Sequence, residues 1–131
     1  MFKPATQTLP DDAAAKVAPI ACRKAATLFS AYGATWEAAR TFQRADLVRV
    51  DLTRGGRDAT HDATLTITVY ERDEESGQVD LWSARLEATH EARRARRFPG
   101  VVFFGVGATV SDALANLSLD PERRAGAPDV L

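Results

Sequence analysis

Arginine is the residue type whose spacing in this chain best suits binding chemistry. Four arginines fall within five consecutive positions: Arg93, Arg94, Arg96 and Arg97. Guanidinium groups this close together attract phosphates and form bidentate contacts with them. Because Glu87 and Glu91 precede the run, the alternative is a solvated connector whose charge is neutralised by its neighbours. The segment therefore predicts either a nucleic-acid contact or an ordinary surface connector.

The histidines and the cysteine form no catalytic or metal-binding motif. His61 and His90 each stand beside one acid, and Cys22 falls in the apolar stripe of a predicted helix. Two histidines without a third ligand at helical or strand spacing are too few for a zinc or iron site. An enzyme would need one of them to meet a carboxylate in a cleft. We therefore expect a protein that is not an enzyme and that binds no metal ion and no cofactor.

The composition is that of one ordinary globular domain. The chain has 131 residues, of which 45% are hydrophobic, and its 17 basic and 18 acidic residues leave a net charge of −1. This balance creates no general attraction for nucleic acid or anionic lipid, so any charge effect is local. A single cysteine excludes an intramolecular disulfide and a Cys-based zinc module. The N-terminus lacks the apolar core of a signal peptide, so we expect a cytoplasmic protein with no membrane contact.

Two helices are predicted before the first strand. Asp11 or Asp12 caps an Ala-rich turn that Pro19 interrupts or restarts as a first-turn proline, and an apolar stripe at helical spacing then runs from Ile20 to a stop at Gly33. A second helix is predicted from the cap Thr35 to Arg44, with one apolar side. That side consists of Trp36, Ala39 and Phe42.

Alternating apolar residues then predict four strands. Val48–Leu52 and Leu65–Val69 flank a turn at Gly55 and Gly56, and a third strand runs from Val79 to Ala88. Its alternation slips between Leu81 and Trp82, which predicts a β-bulge. The fourth strand, Val101–Val106, is apolar on both sides.

The chain closes with a predicted helix that begins at the cap Thr109. Asp112 lies three residues after the cap, and the helix has an apolar stripe. The sequence thus predicts an α+β domain over residues 11–119, flanked by flexible tails at 1–10 and 120–131. It comprises two N-terminal helices, a four-stranded antiparallel sheet and one C-terminal helix packed on one sheet face.

The polar positions of the strands define a predicted binding face. As a nucleic-acid surface, it would add Arg49, Arg85 and Tyr70 to the arginine run. As a face covered by a protein partner or a second copy, it would use Thr64, Thr66, Thr68 and Phe103.

Residues 98–117 resemble the end of HicB-type antitoxins, in which a strand after Pro-Gly leads through a Gly-x-Thr turn into a helix that starts with an acid and Ala-Leu. The matching residues are Pro99, Gly100, Gly107, Thr109, Asp112, Ala113 and Leu114. This partial resemblance implies a small sheet-and-helix module that inhibits a partner RNase by direct contact.

The order of helix, strands and helix also resembles a double-stranded-RNA-binding domain. That family has lysines at the start of its last helix, where this chain has Val110, Ser111 and Asp112. The resemblance therefore implies the fold and not RNA binding. Taken together, these patterns predict a non-enzymatic binding module that contacts a protein partner or a second copy of itself. Nucleic-acid binding and antitoxin-like inhibition of an RNase are the alternatives.

Overall fold

The computed structural model describes residues 9–32, 35–54, 62–94 and 100–126. These residues form a six-stranded antiparallel sheet, in which the strands follow one another in chain order, together with three α-helices. The elements are α1 (Ala13–Leu28), β1 (Trp36–Arg44), β2 (Leu47–Arg54), β3 (Ala63–Arg72), β4 (Val79–Ala88), α2 (His90–Arg94), β5 (Val102–Gly107), α3 (Val110–Ala115) and β6 (Ser118–Asp120). A 3-10 turn, Ser30–Tyr32, follows α1.

The structure is an α+β domain with an antiparallel sheet, as predicted. The predicted arrangement of two N-terminal helices and four strands is wrong. The segment predicted as a second helix is strand β1, which pairs along its length with β2. Trp36 is buried against the ring of Phe29. Strand pairing and burial of Trp36 thus override the helical propensity of the Glu-Ala-Ala-Arg stretch. The structure also adds α2 and the short strand β6.

The first helix is continuous through Pro19. Its buried residues recur every four positions: Ala13, Val17, Ala21 and Ala25. Proline has no backbone N–H, so Pro19 cannot donate the helical hydrogen bond to the Ala15 carbonyl. Pro19 and Ala15 both lie on the exposed side of the helix, where water can donate to that carbonyl instead. The predicted helix stop at Gly33 and the predicted turn at Gly55 and Gly56 lie outside the described residues.

A side chain from the sheet caps α1. Asp12 occupies the N-cap position without a side-chain capping bond, and it pairs instead with Lys16. The amide of Gln43, on β1, accepts a hydrogen bond from the Ala14 backbone N–H at 2.9 Å and donates one to the Pro10 carbonyl at 2.6 Å. Gln43 therefore satisfies an otherwise orphaned donor of the first turn and ties the helix start to β1.

One face of the sheet carries the core. Its central cross-strand row joins Val50, Leu65 and Leu86, all fully buried. Helix α1 packs on β1 and β2 and helix α3 packs on β4 and β5, so both cover this side. We call the opposite side, which neither helix covers, the outer face.

The ladder between β3 and β4 is irregular where the sequence predicts a bulge. Val69 pairs with Trp82 and Glu71 with Leu81, so the extra residue opposite the Leu81–Trp82 step is Tyr70 on β3. A second shift follows on β4: Glu71 pairs with Leu81 and Arg72 pairs with Val79, so Asp80 is the extra residue. The two shifts let Val79 and Trp82, three positions apart, both be buried in the core.

The last helix begins as predicted. The Thr109 side chain accepts a hydrogen bond from the Asp112 backbone N–H at 3.0 Å. Ala113 and Leu114 are buried against β5, where Gly105 and Gly107 leave room for the helix backbone. No helix among the described residues is long and apolar enough to cross a membrane.

Candidate functional site

The outer face alternates arginines, threonines and aromatic rings across the sheet. Its central row crosses all six strands and consists of Phe42, Arg49, Thr66, Arg85, Phe104 and Ser118. The neighbouring row toward α2 consists of Arg40, Asp51, Thr64, Glu87, Val102 and Asp120. The residues predicted as one polar surface from the alternation of β2, β3 and β4 thus share this face.

The structure places most of the predicted face residues there. Thr64, Thr66 and Thr68 are half-buried along β3, and Arg49 is exposed on β2. Arg85 is 8% exposed, because the hydrogen bonds described below hold it against the sheet. The Tyr70 ring lies 5.9 Å from that of Phe104.

Phe103 was expected on this face, and that prediction is wrong. Phe103 pairs with Leu86 on the helix-covered side and meets the Phe29 ring edge-on at 5.4 Å. Phe104 takes the outer position instead, opposite Arg85. The Val101–Phe104 stretch is apolar at every position, so alternation gave no basis for assigning its two faces.

The arginine run is only partly described. Arg94 pairs with Glu91 within α2, as the neutralised-connector alternative requires. The Arg93 Nε donates to the Ala88 carbonyl at 3.3 Å. Arg96 and Arg97 lie outside the described residues.

Residues 121–126, within the segment predicted as a flexible tail, lie across the outer face. The Arg123 guanidinium sits 3.4 Å from the centre of the Phe104 ring, a cation–π contact. Arg85 Nη2 donates to the Arg124 carbonyl at 2.9 Å, and the Gly126 N–H donates to Glu87 Oε2 at 2.7 Å. The segment therefore contacts the side chains of β4 and β5 near the fully buried Val102.

A cleft of about 400 Å³ opens beside this segment. We call it the outer cleft. Its walls carry three guanidinium groups, from Arg40, Arg49 and Arg93, and its other polar groups include the carboxylates of Asp51 and Glu87. The cleft spans from β1 to α2, so it depends on the sheet being assembled and has no counterpart in any short sequence motif.

Both carboxylates of the outer cleft already accept from protein donors. Asp51 pairs with Arg49 at 3.4 Å, and its side chain is almost fully buried. Glu87 accepts from Arg85 Nε at 3.1 Å through one oxygen and from Gly126 through the other. Arg40 and Arg93 form no ion pair with any described carboxylate. The cleft therefore presents a net positive charge.

His90 is the histidine that reaches this cleft, and His61 lies outside the described residues. His90 is exposed at the start of α2 and shares the cleft with Asp51 and Glu87. No hydrogen bond or ion pair joins His90 to a carboxylate among the described residues, so the structure shows no acid–base pair at that histidine. No cluster of three or more metal-ligating side chains occurs in the part of the chain that the structure describes.

Strand β1 forms one edge of the sheet. It is nine residues long, and most of its side chains are exposed. Phe42 is 44% exposed, and the Arg49 guanidinium lies 5.8 Å from the centre of its ring. Sequence reasoning missed this edge, because it placed Arg40 and Phe42 on a helix.

Cys22 is half-buried on α1 next to β1. Burial raises the pKa of its thiol above the ordinary value of 9.0, and the negative charge of Glu37 raises it further, against weaker lowering by the Ala38 backbone and Arg23. The thiolate is the reactive form, so a raised pKa slows reaction at neutral pH.

We expect Cys22 of the folded protein to react with Ellman's reagent at pH 8 more slowly than Cys22 of the chain unfolded in urea. The rate of the folded protein should continue to rise with pH after that of the unfolded chain has levelled off, because the folded thiol ionises at a higher pH. Equal rates for the folded and unfolded chains at pH 8 would contradict the burial and the raised pKa.

Comparison with known proteins assigns the chain to no family. No protein-family model matches it, and no curated protein and no solved structure matches it. The resemblance of residues 98–117 to HicB-type antitoxins therefore stays a prediction.

Proposed function

We propose that this protein is a non-catalytic binding module that associates with a second copy of itself through the edge of β1. The observation that carries the proposal is the exposed nine-residue edge strand, which pairs with β2 alone among the described residues. An unpaired strand edge presents a row of backbone donors and acceptors to another strand.

The backbone geometry indicates which residues face the free edge. Arg44 and Leu47 close a two-residue turn at Ala45 and Asp46, and such a pair exchanges its backbone hydrogen bonds within the hairpin. Along an antiparallel strand, the backbone N–H and C=O groups of successive residues point alternately toward one neighbouring strand and toward the other side. Phe42 and Arg40 therefore point their backbone groups toward β2, while Gln43 and Thr41 point theirs outward.

The side chains of β1 are complementary to themselves in the antiparallel direction. If two copies meet with Thr41 opposite Thr41, Arg40 of each copy lies beside Phe42 of the other. The register shift after Ala38 then brings Glu37 of each copy toward Arg44 of the other. All four side chains lie on the outer face, so the pairing supplies two cation–π contacts and two ion pairs around one two-fold axis.

The charge distribution supports protein contact over nucleic-acid binding at the outer face. Arg49, Arg85 and Arg123 each pair with a carboxylate on the same face, which leaves fewer guanidinium groups for phosphates. An extended single strand needs a continuous positive track with stacking rings.

A charge-swap series tests the proposal. We expect sedimentation over a concentration series to show a dimer of the 14.2 kDa chain. Glu37→Arg alone, or Arg44→Glu alone, should raise the dimer dissociation constant about tenfold, because each change replaces two attractive contacts by two repulsive ones. The double variant should restore association, since it exchanges the charges without changing the pairing.

Thr41→Pro provides the backbone arm of the same test. Proline removes an N–H that points away from β2, so the sheet keeps its own hydrogen bonds while the intermolecular ones are lost. We expect a folded monomer by circular dichroism and sedimentation. A wild-type monomer at every concentration, or a dimer that Thr41→Pro leaves intact, would contradict the proposal. A species heavier than the monomer that sediments only when an oligonucleotide is added would favour the nucleic-acid alternative.

A further inference from the structure

We infer that the outer cleft is a binding site for a small phosphorylated molecule, held between Arg40 and Arg93. The cleft lies within one copy, and although Arg40 also contributes to the contact proposed between copies, the site does not require that contact. The inference rests on the volume of the cleft, the positions of its guanidinium groups and the state of its carboxylates.

The charges of the cleft select an anion. Three arginines line the cleft against two carboxylates, both of which already accept from protein donors, so the formal charge of the lining is positive. Arg40 and Arg93 line the cleft without an ion pair to any carboxylate in the described ranges. A guanidinium group offers several donors in one plane, which matches the oxygens of a phosphate.

The position of the two arginines sets the size of the ligand. Arg40 on β1 and Glu87 on β4 lie in one cross-strand row. Their backbones are three strand spacings apart, which is roughly 14 Å across the sheet. Arg93 lies on α2, which follows β4 directly, so β1 and α2 each contribute one arginine to the lining of the cleft. Between them lies the half-buried Thr64, whose hydroxyl can donate.

A volume of about 400 Å³ suits a small molecule. Arg40 and Arg93, which have no described carboxylate partner, both line this cleft, whereas Arg85 and Arg123 of the outer face are ion-paired. This distribution favours a compact phosphorylated ligand over an extended nucleic-acid strand, although both present the same phosphate chemistry. Inorganic pyrophosphate, with two phosphates in a small volume, is the simplest probe.

The test is isothermal titration with pyrophosphate. We expect measurable binding by the wild type, and a loss of affinity of at least about tenfold in Arg40→Gln and in Arg93→Gln, since each removes charge-assisted hydrogen bonds. Arg23→Gln is the control, because it removes the same charge from an exposed position on α1 that belongs neither to the cleft nor to the proposed contact between copies; it should change affinity less than about twofold. Thr41→Pro should bind as the wild type does, which separates this site from self-association.

Further arms identify the source of the phosphate. A single-stranded oligonucleotide that binds more tightly than pyrophosphate through the same two arginines would make nucleic acid the ligand. Citrate, an anion without phosphate, should bind more weakly. If Arg93→Gln fails to fold, Arg40→Gln decides, since Arg40 is exposed at the sheet edge. Absence of pyrophosphate binding, equal loss in Arg23→Gln, or citrate binding as tight as pyrophosphate would overturn the inference.

Discussion

Gly105→Ala is expected to lower the free energy of unfolding by about 3 kcal/mol, which corresponds to a fall in Tm of roughly 10 °C. A Cβ at this position would lie 2.4 Å from the Ala113 carbonyl oxygen and 2.6 Å from the Asn116 carbonyl carbon. Both contacts are to backbone, so no side-chain rotation relieves them. Helix α3 would have to move away from β5, and the packing of Leu114 would be lost with it.

Gly100→Ala is the matched control for this prediction. Among the described residues, a Cβ at Gly100 meets the side chain of Arg93 alone, at an ordinary 3.9 Å. We expect Gly100→Ala to leave the urea midpoint almost unchanged, while Gly105→Ala lowers it with a similar slope. Equal midpoints for the wild type and Gly105→Ala would mean that α3 does not rest directly on β5.

Phe29→Ala is expected to cost about 3–5 kcal/mol, the range for an aromatic residue deleted from a packed core. Phe29 is 2% exposed and lies where three elements meet, just after α1. Its ring contacts Trp36 of β1 at 5.9 Å and Phe103 of β5 edge-on at 5.4 Å. Truncation leaves a cavity between the helix end and two strands and removes both ring contacts.

Phe42→Ala controls for the loss of an aromatic side chain as such. Phe42 is 44% exposed on the outer face, so its removal creates no cavity, and we expect a stability change below about 1 kcal/mol. Thermal unfolding of the two variants at the same concentration separates the effects. If Phe42→Ala destabilises as much as Phe29→Ala, the assignment of the two faces of the sheet is wrong.

The alternating strands were predictable because each has one apolar side. The Leu65–Val69 pattern indicates directly which residues face the helices, and the capping pair of Thr109 and Asp112 indicates where α3 begins. These signals are local, and the three-dimensional structure preserves them.

Strand β1 was not predictable in the same way, because its stability comes from distant partners. Its residues favour helix, and what makes it a strand is pairing with β2 and the burial of Trp36 beneath Phe29. An alternation of Trp36 with Glu37 was present, but the extra residue Ala39 shifts the period halfway along the strand. A bulged edge strand with Ala-rich composition gives almost the same apolar spacing as a helix.

The candidate site was predictable only in part for the same reason. The polar side of β2, β3 and β4 identified Thr64 and Arg49, and the arginine run identified Arg93. Arg40 was missed because it lay on the misassigned segment, and Asp51 and Glu87 were missed because their ion-pair partners are known only once the strands are in register. Convergence of side chains from five elements is a property of the assembled sheet.

The two borders of the sheet differ greatly in length, since β1 has nine residues and β6 has three. Head-to-tail stacking, with the first strand of one molecule against the last strand of the next, would be limited to a few backbone bonds by that short border. A symmetric contact pairs the β1 edge of both molecules at once, so no long unpaired strand edge remains to which a third molecule could add. The unequal borders therefore favour a closed pair and oppose fibre formation.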